Sequence, residues 1–104
     1  MRPVSLAPLA LLEGLSERPQ SQQALIELCI NIAAASRRFR VGKGILETIG
    51  NVAVRDNIEL PPPCYHMIEA VRRSSEENMP GIYPRPASIG VEYLLEKWHD
   101  LRLD

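Results

Sequence analysis

Apolar residues recur at three- and four-residue intervals in four or five segments of the chain, and proline, glycine or asparagine separates one segment from the next. That period is the signature of helices with one buried face. The first segment, Ser5 to Glu17, places Leu9, Leu11, Leu12 and Leu15 on a short greasy helix. Pro8 is tolerable there only in the first turn, and Pro19 ends it. The second, Ser21 to Arg40, is the strongest. Ser21 is a suitable N-cap, and Leu25, Leu28, Cys29, Ile32, Ser36 and Phe39 keep helical spacing. Ile26, Ile30 and Ala33 to Ala35 widen its apolar surface, so only Glu27 and Asn31 mark a polar stripe in its middle. A helix this apolar is buried on more than one side, which predicts the central helix of the fold. Gly42 is expected as its closing left-handed residue.

The third segment, Gly44 to Arg55, aligns Ile45, Leu46, Ile49, Val52 and Ala53. Gly50 inside it costs roughly 1 kcal/mol against alanine and is expected to permit close packing with a neighbour. Asp56-Asn57 breaks the pattern, and Ile58 to Leu60 reads as a short extended piece. Pro61-Pro62-Pro63 is a stiff connector whose last residue can begin the next helix, running to about Glu77 with Met67, Ile68 and Val71 inward. Pro80-Gly81 ends that helix, and Pro84 and Pro86 predict an extended stretch from Ile82 to Ala87. Ser88 then caps a last amphipathic helix to about Arg102, with Val91, Leu94, Leu95, Trp98 and Leu101 on one stripe.

The pattern predicts an all-α fold, a small bundle of four to five helices with Pro-rich connectors, in one domain spanning residues 1–104. Composition changes this picture in one respect. Aromatic residues are 5% of the 104, so the core rests on Leu, Ile, Val and Ala. A core that thin is often supplemented by oligomerisation, and a homodimer is expected. Twelve basic against thirteen acidic residues give a net charge of −1, so no global field draws the chain to DNA or an anionic membrane. No stretch approaches the ~20 apolar residues that cross a bilayer. The apolar run after Met1-Arg2 is interrupted by Pro8 and followed by Glu13 without a small-x-small cleavage motif, so it is not read as a signal peptide. The expected compartment is the cytoplasm, with no membrane association.

Candidate chemistry is sparse. Cys64-Tyr65-His66 brings a nucleophile and a base close in sequence, but residues i and i+2 diverge at a helix start. Cys29, Cys64, His66 and His99 are the soft zinc ligands, and they are scattered. Two cysteines are too few for a disulfide framework. Gly42-Lys43-Gly44 lacks the phosphate-loop pattern, because Ile45 follows it. Arg37, Arg38, Arg40 and Lys43 form a basic cluster between two helices, as in a helix-turn-helix. The following helix offers only Glu47, Thr48 and Asn51 to base edges, which makes a DNA-binding repressor the lesser alternative. Arg72-Arg73 and Glu76-Glu77 are one turn apart and read as a solvated face. The chain is expected to be neither an enzyme nor a cofactor binder.

What remains is apolar surplus. The expected partner-binding residues are Leu9 and Leu12 in the first segment and Val91, Leu94, Leu95, Trp98 and Leu101 in the last, at the spacing of helix-in-groove docking. In size and helical layout the chain resembles the QslA-type quorum-sensing antiactivators of pseudomonads. The likeness includes the apolar helix around Ala24-Leu25-Ile26-Glu27-Leu28-Cys29 and the closing Glu92-Tyr93-Leu94-Leu95-Glu96-Lys97-Trp98. The resemblance implies a homodimer that binds the ligand-binding domain of a LuxR-type transcription factor. Covering that domain's dimer surface would keep the regulator off DNA. A structural or chaperone subunit of a larger assembly is a further alternative.

Overall fold

The computed structural model describes residues 21–101, with side chains through Lys97. Four α-helices and no strand occur among the described residues: α1 (Gln22–Ala35), α2 (Lys43–Arg55), α3 (Pro62–Glu76) and α4 (Ser88–Leu101). The expected helix over Ser5 to Glu17 lies outside them. The fold is all-α, as the periodicity predicts.

Ser21 caps α1, its Oγ accepting the backbone N–H of Ala24 at 3.1 Å. The helix stops at Ala35 rather than Arg40. The Ser36 hydroxyl bonds the Ala33 carbonyl at 2.7 Å and meets the Tyr83 hydroxyl at 2.8 Å, drawing the chain out of helical register. Arg37, Arg38 and Arg40 therefore lie in an exposed turn. Because α1 ends early, Gly42 does not close it. With φ −65° and ψ 143°, Gly42 is instead the N-cap of α2. Asn31, expected on the polar stripe, is buried, and its side-chain amide is satisfied by the Glu27 carbonyl at 2.9 Å.

Two asparagines in left-handed backbone end α2 and α3. Asn57 has φ 54° and Asn78 φ 55°. At each, the next residue's N–H reaches back to close the turn, Ile58 to Ala53 at 2.8 Å and Met79 to Ser74 at 2.9 Å. These are Schellman closures, which asparagine tolerates next best to glycine. Asn78 thus stops α3 before Pro80-Gly81 is reached. Pro61 is the N-cap of α3, and Pro62 begins it, one residue earlier than expected. Residues 58–60 form no strand. The stretch before α4 is not extended throughout: residues 85–87 turn, and carbonyls of Pro84, Pro86 and Ala87 accept the N–H groups of Ser88, Ile89 and Gly90. Ser88 is therefore the first residue of α4 rather than its cap.

Helix α3 touches all three other helices, and α1 also packs on α4. The core is one cluster, built from Leu25, Leu28 and Ile32 of α1, Leu46 and Ile49 of α2, Met67 and Val71 of α3, and Val91 and Leu94 of α4. As expected from its composition, α1 is buried on most sides, with eight residues in the interior. The hub that every other helix contacts is α3. No buried side-chain nitrogen or oxygen among the described residues lacks a hydrogen-bond partner.

Gly50, in the middle of α2, and Gly90, in the first turn of α4, have opposite surroundings. A Cβ on Gly90 would stand 2.5 Å from the Pro63 carbonyl oxygen and 2.6 Å from both the His66 Cβ and the Met67 nitrogen. Gly90 is the point where α4 lies directly on the backbone of α3. Gly50, expected to allow such an approach, has nothing within 4 Å of a Cβ built on it. Helix α2 packs mainly on α3, and its Gly50 side opens to solvent. Gly50→Ala is therefore expected to raise the unfolding free energy by about 0.5–1 kcal/mol, from helix propensity alone. Thermal denaturation followed by circular dichroism measures this, and a lowered midpoint would show that the space is filled.

Candidate functional site

Of the seven residues expected to bind a partner, Leu9 and Leu12 lie outside the described residues, as do the side chains of Trp98 and Leu101. Val91 and Leu94 are each 1% exposed and belong to the core, and Leu95 packs against it half-buried. The described part of the stripe is thus turned inward, because α4 needs that face to cover α1 and α3. A partner meets Val91 or Leu94 only if α4 leaves the bundle.

Among the described side chains of α4, the large apolar ones that face outward are Ile89 and Tyr93, 60% and 47% exposed and one helical turn apart. Glu92, Glu96 and Lys97 border them. Tyr93 and Lys97 also edge a cavity of about 280 Å³ whose walls include Ile26 and Ile30 of α1 and Pro61 and Cys64 at the start of α3. The outer face of α4 therefore continues into a recess with apolar walls. Sequence reasoning missed Ile89 and Tyr93 because they flank the regular stripe. Their i, i+4 spacing, with an aromatic at the second position, is the signal that marks them.

Other large exposed apolar residues lie away from α4 in sequence. Val54 and Tyr65 flank a shallow hollow between the end of α2 and the start of α3. Phe39, Met79 and Ile82 lie in the turns after α1 and α3.

The basic cluster has acid close by. Lys43 pairs with Glu47 at 3.8 Å, both well exposed. A cleft of about 270 Å³ joins Arg40 and Lys43 to Arg72 and Glu76 of α3. Arg72 is itself held by Glu69 at 2.8 Å and Glu76 at 3.1 Å. Those carboxylates raise its already high pKa and offset the positive field there. Exposed pairs of this kind add little to stability, because water screens them.

Cys64, Tyr65 and His66 diverge as the helix start dictates. Cys64 is buried, whereas Tyr65 and His66 are exposed. The neighbour of Cys64 is Cys29. Both are buried in the same apolar core, an association that sequence spacing does not reveal. The neighbouring Cys64 side chain and burial both push the Cys29 thiol pKa up. Tyr83, half-buried beside Ser36, is likewise raised by burial.

Among the described residues no group of three or more His, Cys, Asp or Glu is placed to hold a metal ion. No described helix is long and apolar enough to cross a membrane. In comparisons with protein families, with curated proteins and with solved structures, the chain matches none.

Proposed function

We propose that this protein is a negative regulator that acts by binding another protein, docking the outer face of α4 on its partner. The single observation that carries the reading is the pair Ile89 and Tyr93, large apolar side chains exposed one turn apart beside an apolar recess. Helix-in-groove recognition uses anchors at this spacing, with charged residues at the margin. An aromatic anchor suits such a contact because it buries much area at little cost in rotamer entropy.

The class of partner comes from the resemblance to pseudomonad antiactivators. It is the ligand-binding domain of a LuxR-type transcription factor in the cytoplasm, bound by a homodimer of this chain so that the factor neither dimerises nor binds DNA. Isothermal titration of the full chain with such a domain tests the reading. We expect binding that the pair Ile89→Asp and Tyr93→Asp weakens by about a hundredfold, the effect of losing a buried anchor, with the helical circular dichroism unchanged. Binding unaffected by both substitutions would remove the outer face of α4 from the interface. No binding to any LuxR-type domain tried would remove the partner class. Sedimentation of the chain alone tests the homodimer.

A further inference from the structure

Three exposed apolar residues, Phe39, Met79 and Ile82, sit in two turns that the fold fastens together. The turn after α1 and the turn after α3 meet at three points. The Val41 N–H donates to the Ser75 Oγ at 3.1 Å, the Ser36 and Tyr83 hydroxyls lie 2.8 Å apart, and a Cβ on Gly81 would stand 2.9 Å from the Arg37 carbonyl oxygen. Phe39 lies between the ties of the first turn, and Met79 and Ile82 lie between those of the second. None of the three belongs to the core cluster. The same double turn is basic. Residues 36–43 and 77–85 hold five of the chain's twelve basic residues and one of its thirteen acidic ones, Glu77. Glu47 pairs with Lys43, and Glu76, which shares a cleft with Arg40, is held by Arg72. Arg37, Arg38, Arg40 and Arg85 are exposed and form no ion pair among the described residues. The net charge of −1 averages this concentration away, and with it the reason for expecting no membrane association.

We propose that this double turn docks on the surface of an anionic lipid bilayer, with its arginines against the headgroups and Phe39, Met79 and Ile82 entering the boundary between headgroups and acyl chains. The inference is independent of what docks on α4. A single weak anchor leaves a protein only marginally bound to a bilayer, and stable attachment takes two signals, such as apolar burial and a polybasic patch. Both signals occur here in one place. A cation near an anionic leaflet raises the partition about fivefold, and an apolar side chain that leaves water adds on the order of tenfold. Arginine suits the contact, because its guanidinium is weakly hydrated and takes phosphate oxygens two at a time. A nucleic acid would also take the arginines, but its phosphates offer Met79 and Ile82 no apolar surface to enter. A protein partner would have to match the spacing of three side chains drawn from two turns. A fluid bilayer receives them at whatever spacing the turns present.

The test sediments the full chain with sucrose-loaded vesicles at about 0.1 M salt. The chain is expected to travel with phosphatidylcholine vesicles that carry phosphatidylserine at about one lipid in three, to leave them as salt rises, and not to travel with pure phosphatidylcholine. Arg37→Gln, Arg38→Gln and Arg40→Gln together are expected to weaken the partition on the order of a hundredfold. Phe39→Ser with Ile82→Ser is expected to weaken it about tenfold or more with the charge intact. Hydrogen exchange of the unsubstituted chain on the anionic vesicles is expected to slow within residues 37–43 and 79–83 and to stay unchanged over 89–97. Failure to travel with the anionic vesicles overturns the proposal, and polyglutamate bound by the same turns would then indicate an acidic protein. Equal partition onto both kinds of vesicle overturns it as well, as does protection confined to other residues. An unweakened Phe39→Ser, Ile82→Ser variant, with tighter binding to duplex DNA at the same salt, overturns it in favour of a nucleic acid. The exchange measurement needs no substitution, so a variant that fails to fold does not shield the proposal.

Discussion

Gly90→Ala is expected to lower the unfolding free energy by about 2–3 kcal/mol, although alanine is the better helix former by roughly 1 kcal/mol. The added carbon would sit 2.5–2.6 Å from the Pro63 carbonyl oxygen, the His66 Cβ and the Met67 nitrogen. Two of these are backbone atoms, and the Met67 N–H and Pro63 carbonyl are a helical i→i−4 pair. No rotamer change relieves such a contact, so α4 must move bodily away from α3 and unpack Val91, Leu94 and Met67 from one another. Against a stability of about 5–15 kcal/mol for a domain of ordinary size, the loss is large. It corresponds to a fall in melting temperature on the order of 10 °C, measurable by thermal circular dichroism. Gly50→Ala is the internal control, the same chemical change with the opposite expected sign. Equal midpoints for Gly90→Ala and the unsubstituted chain would mean that the two helices do not touch there.

Leu94→Asp is expected to leave the chain unfolded at 25 °C. Removing the buried leucine costs about 2–5 kcal/mol. The aspartate would then have to ionise, or hold a proton, in a site 1% exposed among apolar side chains. An unpaired charge in such a place costs several kcal/mol more, and the two losses together reach the stability of a small domain. Ile89→Asp, five residues earlier on the same helix, is expected to change stability by no more than about 0.5 kcal/mol, because its side chain already faces water. Urea titrations of the two variants decide the matter. A folded Leu94→Asp would place that side chain at a surface, and an unfolded Ile89→Asp would place isoleucine 89 in the core. The contrast also bears on any partner assay. Lost binding in Leu94→Asp reports on folding, whereas lost binding in Ile89→Asp reports on contact.

The existence and type of all four described helices can be read from apolar spacing, because one-sided burial writes a 3.6-residue period into a sequence. Their ends are read less well. Ser36 looks like one more residue of the α1 stripe, and only the arrival of Tyr83 from the chain before α4 shows why the helix stops there. Gly50 and Gly90 are alike in sequence, each within an apolar stripe. What separates them is whether another backbone lies opposite, which is a property of the assembled fold. The same holds for the stripe of α4. Periodicity identifies Val91, Leu94 and Leu95 as one face but does not say whether that face covers its own bundle or another polypeptide. That Cys29 and Cys64 share one buried core has no local trace at all, since one lies in the middle of an apolar helix and the other after a run of prolines.

The segment between α3 and α4 contains no regular helix, yet it is fastened at several points. The Tyr83 hydroxyl meets Ser36, the Ser74 hydroxyl holds the Met79 carbonyl at 2.6 Å, and Gly81, at φ 84°, lies so near the Arg37 carbonyl that a Cβ would stand 2.9 Å from it. These ties fix the direction in which the chain enters α4 before anything binds. Association with the outer face of that helix would therefore require little ordering of its backbone, and the contact energy of Ile89 and Tyr93 would be retained as affinity instead of being spent on shaping the surface.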